Sequence, residues 1–193
     1  MKIILASLSE RRSRILSDCG IEHQVMPSGV SEDMTTSKYV SELVKLNAIK
    51  KAEKIAKDNK TAVVIGADTL VVHTGDVLGK PDGENSAREM LKRFSGEELE
   101  VYTGICLITG AKKSVGFEKS VLNVVSLTDN QIERYFRLLG PYDKAGGFSI
   151  EGVGSLLFDD IKGSYFNILG LPMRKLKDLF EEIGLDILDF IKN

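Results

Sequence analysis

Ile3-Ile4-Leu5-Ala6-Ser7-Leu8-Ser9-Glu10-Arg11-Arg12-Ser13-Arg14-Ile15-Leu16 passes from an apolar strand into an amphipathic helix within a few residues, and the fold is read outward from that junction. Ile3 to Ala6 form the short, unbroken apolar run of a fully buried strand. From Arg11 the pattern turns helical, with Ile15, Leu16 and Cys19 recurring on one face. Between strand and helix stand hydroxyls and guanidiniums, at the place where backbone N–H groups point outward unpaired. A helix N-terminus attracts anions, and paired arginines add forked donors that match phosphate oxygens. The same residues allow a second reading. Ser7 and Glu10 fit the S-x-x-E capping box, which needs no ligand, and the arginines then make a solvated first turn. Arginine in a first turn opposes the helix dipole, which favours acids there. The local pattern leaves both readings open.

Outward from this junction, strand and helix patterns alternate. Glu22 to Met26 reads as a strand, Pro27 to Thr36 as a polar loop, and Ser37 to Asp58 as a long helix. Ala62 to Ile65 is a strand broken by Gly66-Ala67-Asp68-Thr69 and resumed at Leu70-Val71-Val72. Thr74-Gly75-Asp76 reads as a hairpin turn, Gly79 to Gly83 as a loop and Asn85 to Phe94 as a helix. Leu99 to Thr109 and Ser114 to Leu127 read as an antiparallel pair around Gly110-Ala111-Lys112, and Asp129 to Leu139 as a helix with Thr128 at its N-cap. A glycine- and aromatic-rich stretch follows, and Leu176 to Ile191 closes the chain with a helical pattern interrupted at Gly184. Hairpins mixed with βα units predict an α/β fold around a mixed central sheet flanked by helices, and residues 1–193 are read as one domain.

Composition narrows the function. The 193 residues carry a net charge of −2, with 42% hydrophobic and 28% charged residues, as in an ordinary soluble globular protein. Basic residues are spread along the chain, which argues against a nucleic-acid surface and allows a small basic pocket. Cys19 and Cys106 have no metal-type spacing and read as reduced core residues of a cytoplasmic protein. No apolar run reaches the length of a signal peptide or a membrane span. His23 and His73 are isolated, so a histidine zinc site or a Ser/His/Asp triad has no basis, and each reads as a surface or strand-edge residue.

The chemistry concentrates in a few places. Asp68 follows an apolar run and a Gly-Ala pair, which puts it at the end of a buried strand, where open α/β sheets hold ligands. A carboxylate there is costly unless it is paired, hydrogen-bonded or metal-bound. The competing reading is that Gly66 and Asp68 only shape a β-bulge. Lys80, between Gly79 and Pro81, is a fixed point charge suited to a phosphate oxygen, although most loop lysines are simply solvated. Glu32 is either part of an exposed acidic loop or, with Asp68, a source of the hard oxygen ligands that Mg²⁺ or Mn²⁺ prefers. Asp143-Lys144-Ala145-Gly146-Gly147 permits close backbone approach, and Ser149-Ile150-Glu151-Gly152 alternates like a short strand. A basic helix entrance, two acids and two loop lysines fit a metal-assisted nucleotide or phosphate-ester enzyme. There is no P-loop and no G-x-G-x-x-G.

Taken in order, Ala6-Ser7-Leu8-Ser9-Glu10-Arg11-Arg12, Gly66-Ala67-Asp68-Thr69, Leu78-Gly79-Lys80-Pro81, Tyr102-Thr103-Gly104, Asp143-Lys144-Ala145-Gly146-Gly147 and Gly163-Ser164-Tyr165 through Gly170-Leu171-Pro172 resemble the Maf family of nucleoside triphosphate pyrophosphatases. The resemblance implies a two-lobed chain around a deep cleft, similar to the inosine-triphosphatase-like fold. It implies hydrolysis of a nucleoside triphosphate to the monophosphate and pyrophosphate with a divalent cation, and a homodimer. It casts Asp68 as general base near the metal and Glu32 as metal helper. Ser7, Ser9, Arg12, Lys80 and Lys144 become substrate ligands, and Arg11, Thr69 and Glu151 select the base. Two departures stand out. Asn47-Ala48 occupies a place where the family commonly has Lys-Ala, with Lys50 and Lys51 on the same helix face as substitutes. Arg11 and Thr69 match members that prefer dTTP and UTP, whereas Glu151 matches members that prefer 7-methylguanosine triphosphate. Pyrimidine substrates are expected on balance. The alternatives are a pyrophosphatase for 7-methylguanosine triphosphate or for non-canonical purine triphosphates, and a nucleotide-binding regulator of septum formation in cell division.

Overall fold

The computed structural model describes residues 1–33, 39–139 and 145–192 and divides the chain into two compact units. The first comprises Met1–Thr69, Tyr102–Glu118 and Phe166–Asn193, the second Leu70–Val101 and Lys119–Tyr165. The first opens as the junction predicts. β1 (Ile3–Leu5) runs into α1 (Glu10–Asp18) and returns as β2 (His23–Val25), parallel to β1, with Ile4 opposite Gln24. α2 (Val40–Ala56) then feeds β3 (Val63–His73), also parallel to β1, with Ile4 opposite Val64. The expected start of α2 at Ser37 lies outside the described residues. β3 turns through Thr74 and Gly75, both at positive φ, into antiparallel β4 (Asp76–Leu78), the predicted hairpin. β5 (Glu98–Thr109), β6 (Lys112–Val124) and β7 (Phe158–Lys162) complete a mixed seven-stranded sheet ordered β2-β1-β3-β5-β6-β7, with β4 beside β3.

One expectation fails in an informative way. Gly66 to Thr69 do not break the strand, and β3 runs unbroken from Val63 to His73. Gly66 is needed for a neighbour rather than for a bend. A Cβ there would lie 2.2 Å from the Ala48 carbonyl oxygen and 2.8 Å from the Ala52 nitrogen, both on α2. Gly104 on β5 plays the same part, its absent Cβ standing 2.4 Å from the Val44 carbonyl. α2 therefore rests its backbone on two glycines. Ala48 and Ala52 pack with Ile4, Ala6, Val64 and Cys106 into a tight small-residue core. Burial pushes the Cys106 thiol up to about 12, so it stays protonated and inert.

The second unit packs α3 (Glu84–Phe94) against α4 (Asp129–Leu139) around Leu91, Ile132 and Leu157, with the Arg88 guanidinium 4.6 Å from the Phe136 ring centre. The predicted cap of α4 is a reciprocal box, since Thr128 Oγ1 accepts from the Gln131 N–H at 3.3 Å and Gln131 Oε1 accepts from the Thr128 N–H at 2.9 Å. Ser149 to Gly152 is not a strand. Gly152 has φ +61° and opens a 3₁₀ helix over Gly152–Leu157, which delivers the chain into β7. β7 was hidden because Asp159 and Asp160 stand side by side in it and break the alternation of a half-buried strand. His73 ends β3 buried rather than at the surface, edge-on to Phe94 with ring centres 5.3 Å apart. The chain ends in α5 (Tyr165–Ile168), α6 (Met173–Glu182) and, beyond Gly184 at φ +76°, a 3₁₀ turn over Ile187–Phe190. Among the described residues no helix is long and apolar enough to cross a membrane.

The seat of α2 is open to a direct test. Gly66→Ala should destabilise the protein by about 3 kcal/mol, the upper end of overpacking costs, because the clash is with backbone that cannot rotate away. Gly79→Ala, where a Cβ meets nothing within 4 Å, should stay within about 0.5 kcal/mol of the parent. Chemical denaturation of the two variants side by side measures the difference.

Candidate active site

The first unit gathers most of the residues singled out in the sequence. Side chains alternate along a strand, so Gly66 and Asp68 share the face under α2 while Thr69 points the opposite way. Asn47 and Lys51, one helical turn apart on α2, lie over Asp68 because Gly66 lets the helix come down. Lys51 Nζ donates to Asp68 Oδ1 at 2.8 Å, to Glu32 Oε1 at 2.6 Å and to the Ala67 carbonyl at 3.1 Å. Its donors are thereby all engaged. Asn47 Nδ2 donates to the other Asp68 oxygen, Oδ2, at 2.9 Å. Asp68 itself is 2% exposed, a carboxylate held by an ammonium on one oxygen and an amide on the other. It sits within the strand rather than at its end. Lys51, and not Lys50, stands in the acid cluster.

On the opposite face, Arg12 of α1 is buried, and each of its three guanidinium nitrogens donates a hydrogen bond. Nε donates to the Gly170 carbonyl at 2.7 Å, one terminal nitrogen to Ser7 Oγ at 2.9 Å and the other to Thr69 Oγ1 at 2.8 Å. Burial pulls the Arg12 guanidinium below the usual arginine range; the charges of Asp68 and Glu32 oppose that pull and Arg11 adds to it. The direction of the next hydrogen bonds follows by elimination. Thr103 Oγ1 donates its only proton to the Asn167 carbonyl at 2.9 Å, so in its 2.9 Å contact with Thr69 it accepts. Thr69 thus receives from Arg12 and donates to Thr103, and its hydroxyl has no proton left for a ligand. Ser7 has the reverse character. Its oxygen accepts from Arg12 and from the Ser9 N–H at 3.2 Å, which leaves its proton to be donated.

The capping residue of α1 is Ser9, whose hydroxyl accepts from the Arg12 N–H at 3.5 Å, and not Ser7 as the S-x-x-E pattern suggested. Glu10 becomes the first helical residue, where its charge suits the dipole. Ser7 is therefore free of the cap. Arg11, half-buried, stands between Glu10 and Arg12 in the chain.

Lys80 and Glu151 belong to the second unit. Lys80 is exposed, and its loop is fixed from behind, with the Gly79 carbonyl accepting from the Gly146 N–H at 3.1 Å and Pro81 packed on Gly147. Lys144, from the same glycine segment, lies outside the described residues. Glu151 lines a cavity of about 510 Å³ together with Phe158, Asp159, Asp160 and Tyr165.

Glu32 and Asp68 are the two carboxylates that could hold a divalent cation. No group of three or more metal-ligating side chains exists among the described residues. The two acids nevertheless converge on one cation, the Lys51 ammonium, and each keeps lone pairs beyond that bond. Two hard oxygen donors with substrate phosphates completing the shell is the arrangement Mg²⁺ favours, so the residues present fit the ion. Sequence reading alone assigned no contacts to Asn47, Thr103 or Gly170. The signal for Asn47 was its spacing of four residues from Lys51, on the helix face that the Gly-x-Asp of β3 admits.

Known proteins share this layout of sequence. The sequence model of the Maf-like protein family matches residues 2–183. The dTTP/UTP pyrophosphatase of Caldicellulosiruptor bescii is 40% identical over 193 residues, covering 97% of each chain. That of Bacillus cereus strain ATCC 14579 is 36% identical over 186 residues, covering 96% of this chain and 97% of its own. The solved structure of a HAM1 protein from Coxiella burnetii superposes with a TM-score of 0.49 at 14% identity, over 76% of this chain and 79% of that one. With a family match across nearly its whole length and relatives covered end to end, the chain belongs to the Maf family.

Proposed function

We propose that this protein is a cytoplasmic nucleoside triphosphate pyrophosphatase that hydrolyses dTTP and UTP to the monophosphate and pyrophosphate. The observation that carries the reading is the buried Asp68 carboxylate, held on both oxygens and set beside Glu32 and Lys51. The names of the relatives from Caldicellulosiruptor bescii and Bacillus cereus support the pyrimidine triphosphates.

In this reading Asp68 takes the proton of a water as its oxygen attacks phosphorus, and the bond to the oxygen bridging the α and β phosphates breaks. A divalent cation on Glu32 and Asp68 supplies charge neutralisation for the triphosphate when bound. Ser7 donates its free proton to a phosphate oxygen, and the Arg12 guanidinium adds positive charge beside it. Lysine at 80 contributes a point charge to the leaving pyrophosphate, where negative charge grows. Lys51 keeps Asp68 and Glu32 in place and lets two carboxylates coexist without mutual repulsion.

Thr69 acts here through Arg12. Its hydroxyl, already donated to Thr103, offers a base nothing but a lone pair, so we assign it to holding the guanidinium. Base selection then falls to Arg11 and Glu151. An ionised glutamate only accepts, so it takes the N3–H of thymine or uracil and sits poorly beside the neighbouring carbonyls, where a glutamine would also donate.

Incubation with each nucleoside triphosphate and Mg²⁺ or Mn²⁺, followed by a pyrophosphate assay, should show turnover fastest with dTTP and UTP; no pyrophosphate from any of them would sink the proposal. Asp68→Asn should lower kcat by about 10²–10⁴-fold, the usual contribution of a general base, while titration with a non-hydrolysable nucleotide still shows binding. Thr69→Val should raise KM by a similar factor for every nucleotide that is turned over. A change confined to one base would instead place Thr69 in base selection. Glu151→Gln should shift the ratio of kcat/KM values toward dTTP and UTP, and an unchanged ratio would remove Glu151 from the selectivity.

A further inference from the structure

Asn47 looks out of place in the sequence, a polar residue on the buried face of a helix that packs through alanines. It is 1% exposed, and its three hydrogen bonds use both N–H donors and the carbonyl oxygen. Oδ1 accepts from the Asp33 N–H at 2.9 Å. Nδ2 donates to the Asp33 carbonyl at 2.9 Å and to Asp68 Oδ2 at 2.9 Å. The orientation of the amide is fixed by these partners, since a flip would set its oxygen against two acceptors and its NH₂ against a donor.

The first two bonds imitate a strand ladder. One side chain reads both the N–H and the carbonyl of a single residue, and so holds that residue in position and direction. The residue held is Asp33, next in chain to Glu32, whose carboxylate lies 2.6 Å from Lys51 Nζ. The third bond holds Asp68. One amide therefore sets the loop that delivers Glu32 and also the rotation of the Asp68 carboxylate. Lys51 binds the same two acids, but as a rotatable point charge it fixes distance without direction. The planar amide supplies the direction.

We propose that Asn47 is a positioning residue for hydrolysis, orienting the Asp68 carboxylate and anchoring the Glu32 loop as a single unit. The proposal rests on the reading of Asp68 as general base and adds a residue that touches neither nucleotide nor water. Oriented this way, Oδ1 is tied to Lys51 and Oδ2 to Asn47, and the remaining lone pair on each oxygen has a fixed direction. A carboxylate freed from Asn47 would rotate about its Cβ–Cγ bond, and Glu32 would leave with its loop. Misplacement of this order, on the scale of an ångström, lowers rate by about 10²-fold without a change in what is bound.

The test uses the full chain with Asn47→Leu, which keeps the bulk and removes every hydrogen bond, and Asn47→Ala, which leaves room for water at the Asp33 backbone should the leucine variant not fold. For each, kcat and KM are measured with dTTP and a divalent cation, the Kd is measured for the non-hydrolysable α,β-imido analogue of dTTP, and the melting temperature confirms a folded protein. The expected result is a fall in kcat of about 10- to 100-fold, with KM and the analogue Kd within about twofold of the parent. A folded variant with parental kcat overturns the proposal. So does a raised KM and analogue Kd with kcat intact, which would make Asn47 part of binding. Asp68→Asn run in parallel separates the two layers. If it keeps its activity, the general-base reading has failed; if it is inactive while Asn47→Leu or Asn47→Ala turns over normally, only the role of Asn47 has failed.

Discussion

The contact on which the rest depends is backbone against backbone, α2 lying on β3 and β5 at Gly66 and Gly104. A side chain at either position would push the helix away, since the Cβ atoms would stand 2.2 Å and 2.4 Å from carbonyl oxygens. The short reach of Asn47 is what this closeness serves. An asparagine amide extends only a few bonds from its backbone, yet it must touch Asp68 on one side and the Asp33 backbone on the other. The glycines set the distance, the alanines at 48 and 52 keep it, and the functional side chains are arranged one turn apart along the same face.

That closeness places charges where burial is expensive. Asp68, Lys51 and Arg12 are all under a tenth exposed, and removing an ion from water costs several kcal/mol even after relaxation. Pairing offsets that cost without giving a stability reason for the charges to be there. An apolar replacement of the set would serve the fold as well or better. The arrangement makes sense as chemistry. With Glu32 counted, two acids and two bases sum to no net charge, so the cluster presents no strong repulsion to a ligand of either sign. The donors are fixed beforehand, which spares reorganisation when charge moves in the reaction.

The sequence disclosed elements where one physical signal dominated. The helix over Asp129–Leu139 was legible from its cap and its periodicity, and the Thr74-Gly75 hairpin from turn chemistry. It misled where one residue type has two uses. Gly66 read as a strand breaker because glycine permits turns, whereas here it permits an approach; only the neighbouring helix distinguishes the two, and that helix is remote in sequence. Ser7 read as a cap because S-x-x-E is a cap pattern, but Ser9 lies nearer the true helix start and takes the position. Asp68 was conspicuous as an acid following an apolar run, Ser7 and Arg12 as a hydroxyl and a guanidinium at a helix entrance, and Glu32 only in combination with Asp68. Thr103 and Gly170 were not, because a hydroxyl or a carbonyl becomes functional only through the partner that the fold brings to it.

The continuity of β3 through Asp68 and Thr69 has a consequence that a strand end would not. Adjacent residues in a strand project to opposite faces at a fixed rise of about 3.3 Å. Asp68 therefore belongs to the acid cluster under α2, and Thr69 to the guanidinium cluster with Arg12, Ser7 and Thr103. Between them runs one planar peptide whose two ends cannot shift independently. The Asp68 carboxylate and the Thr69 hydroxyl that holds Arg12 are thus set at one spacing by the backbone itself. A loop at this point would let each cluster settle on its own partners and lose the relation between them. The unbroken strand preserves that relation, and Gly66, two residues before Asp68, is what lets a helix lie flat over it.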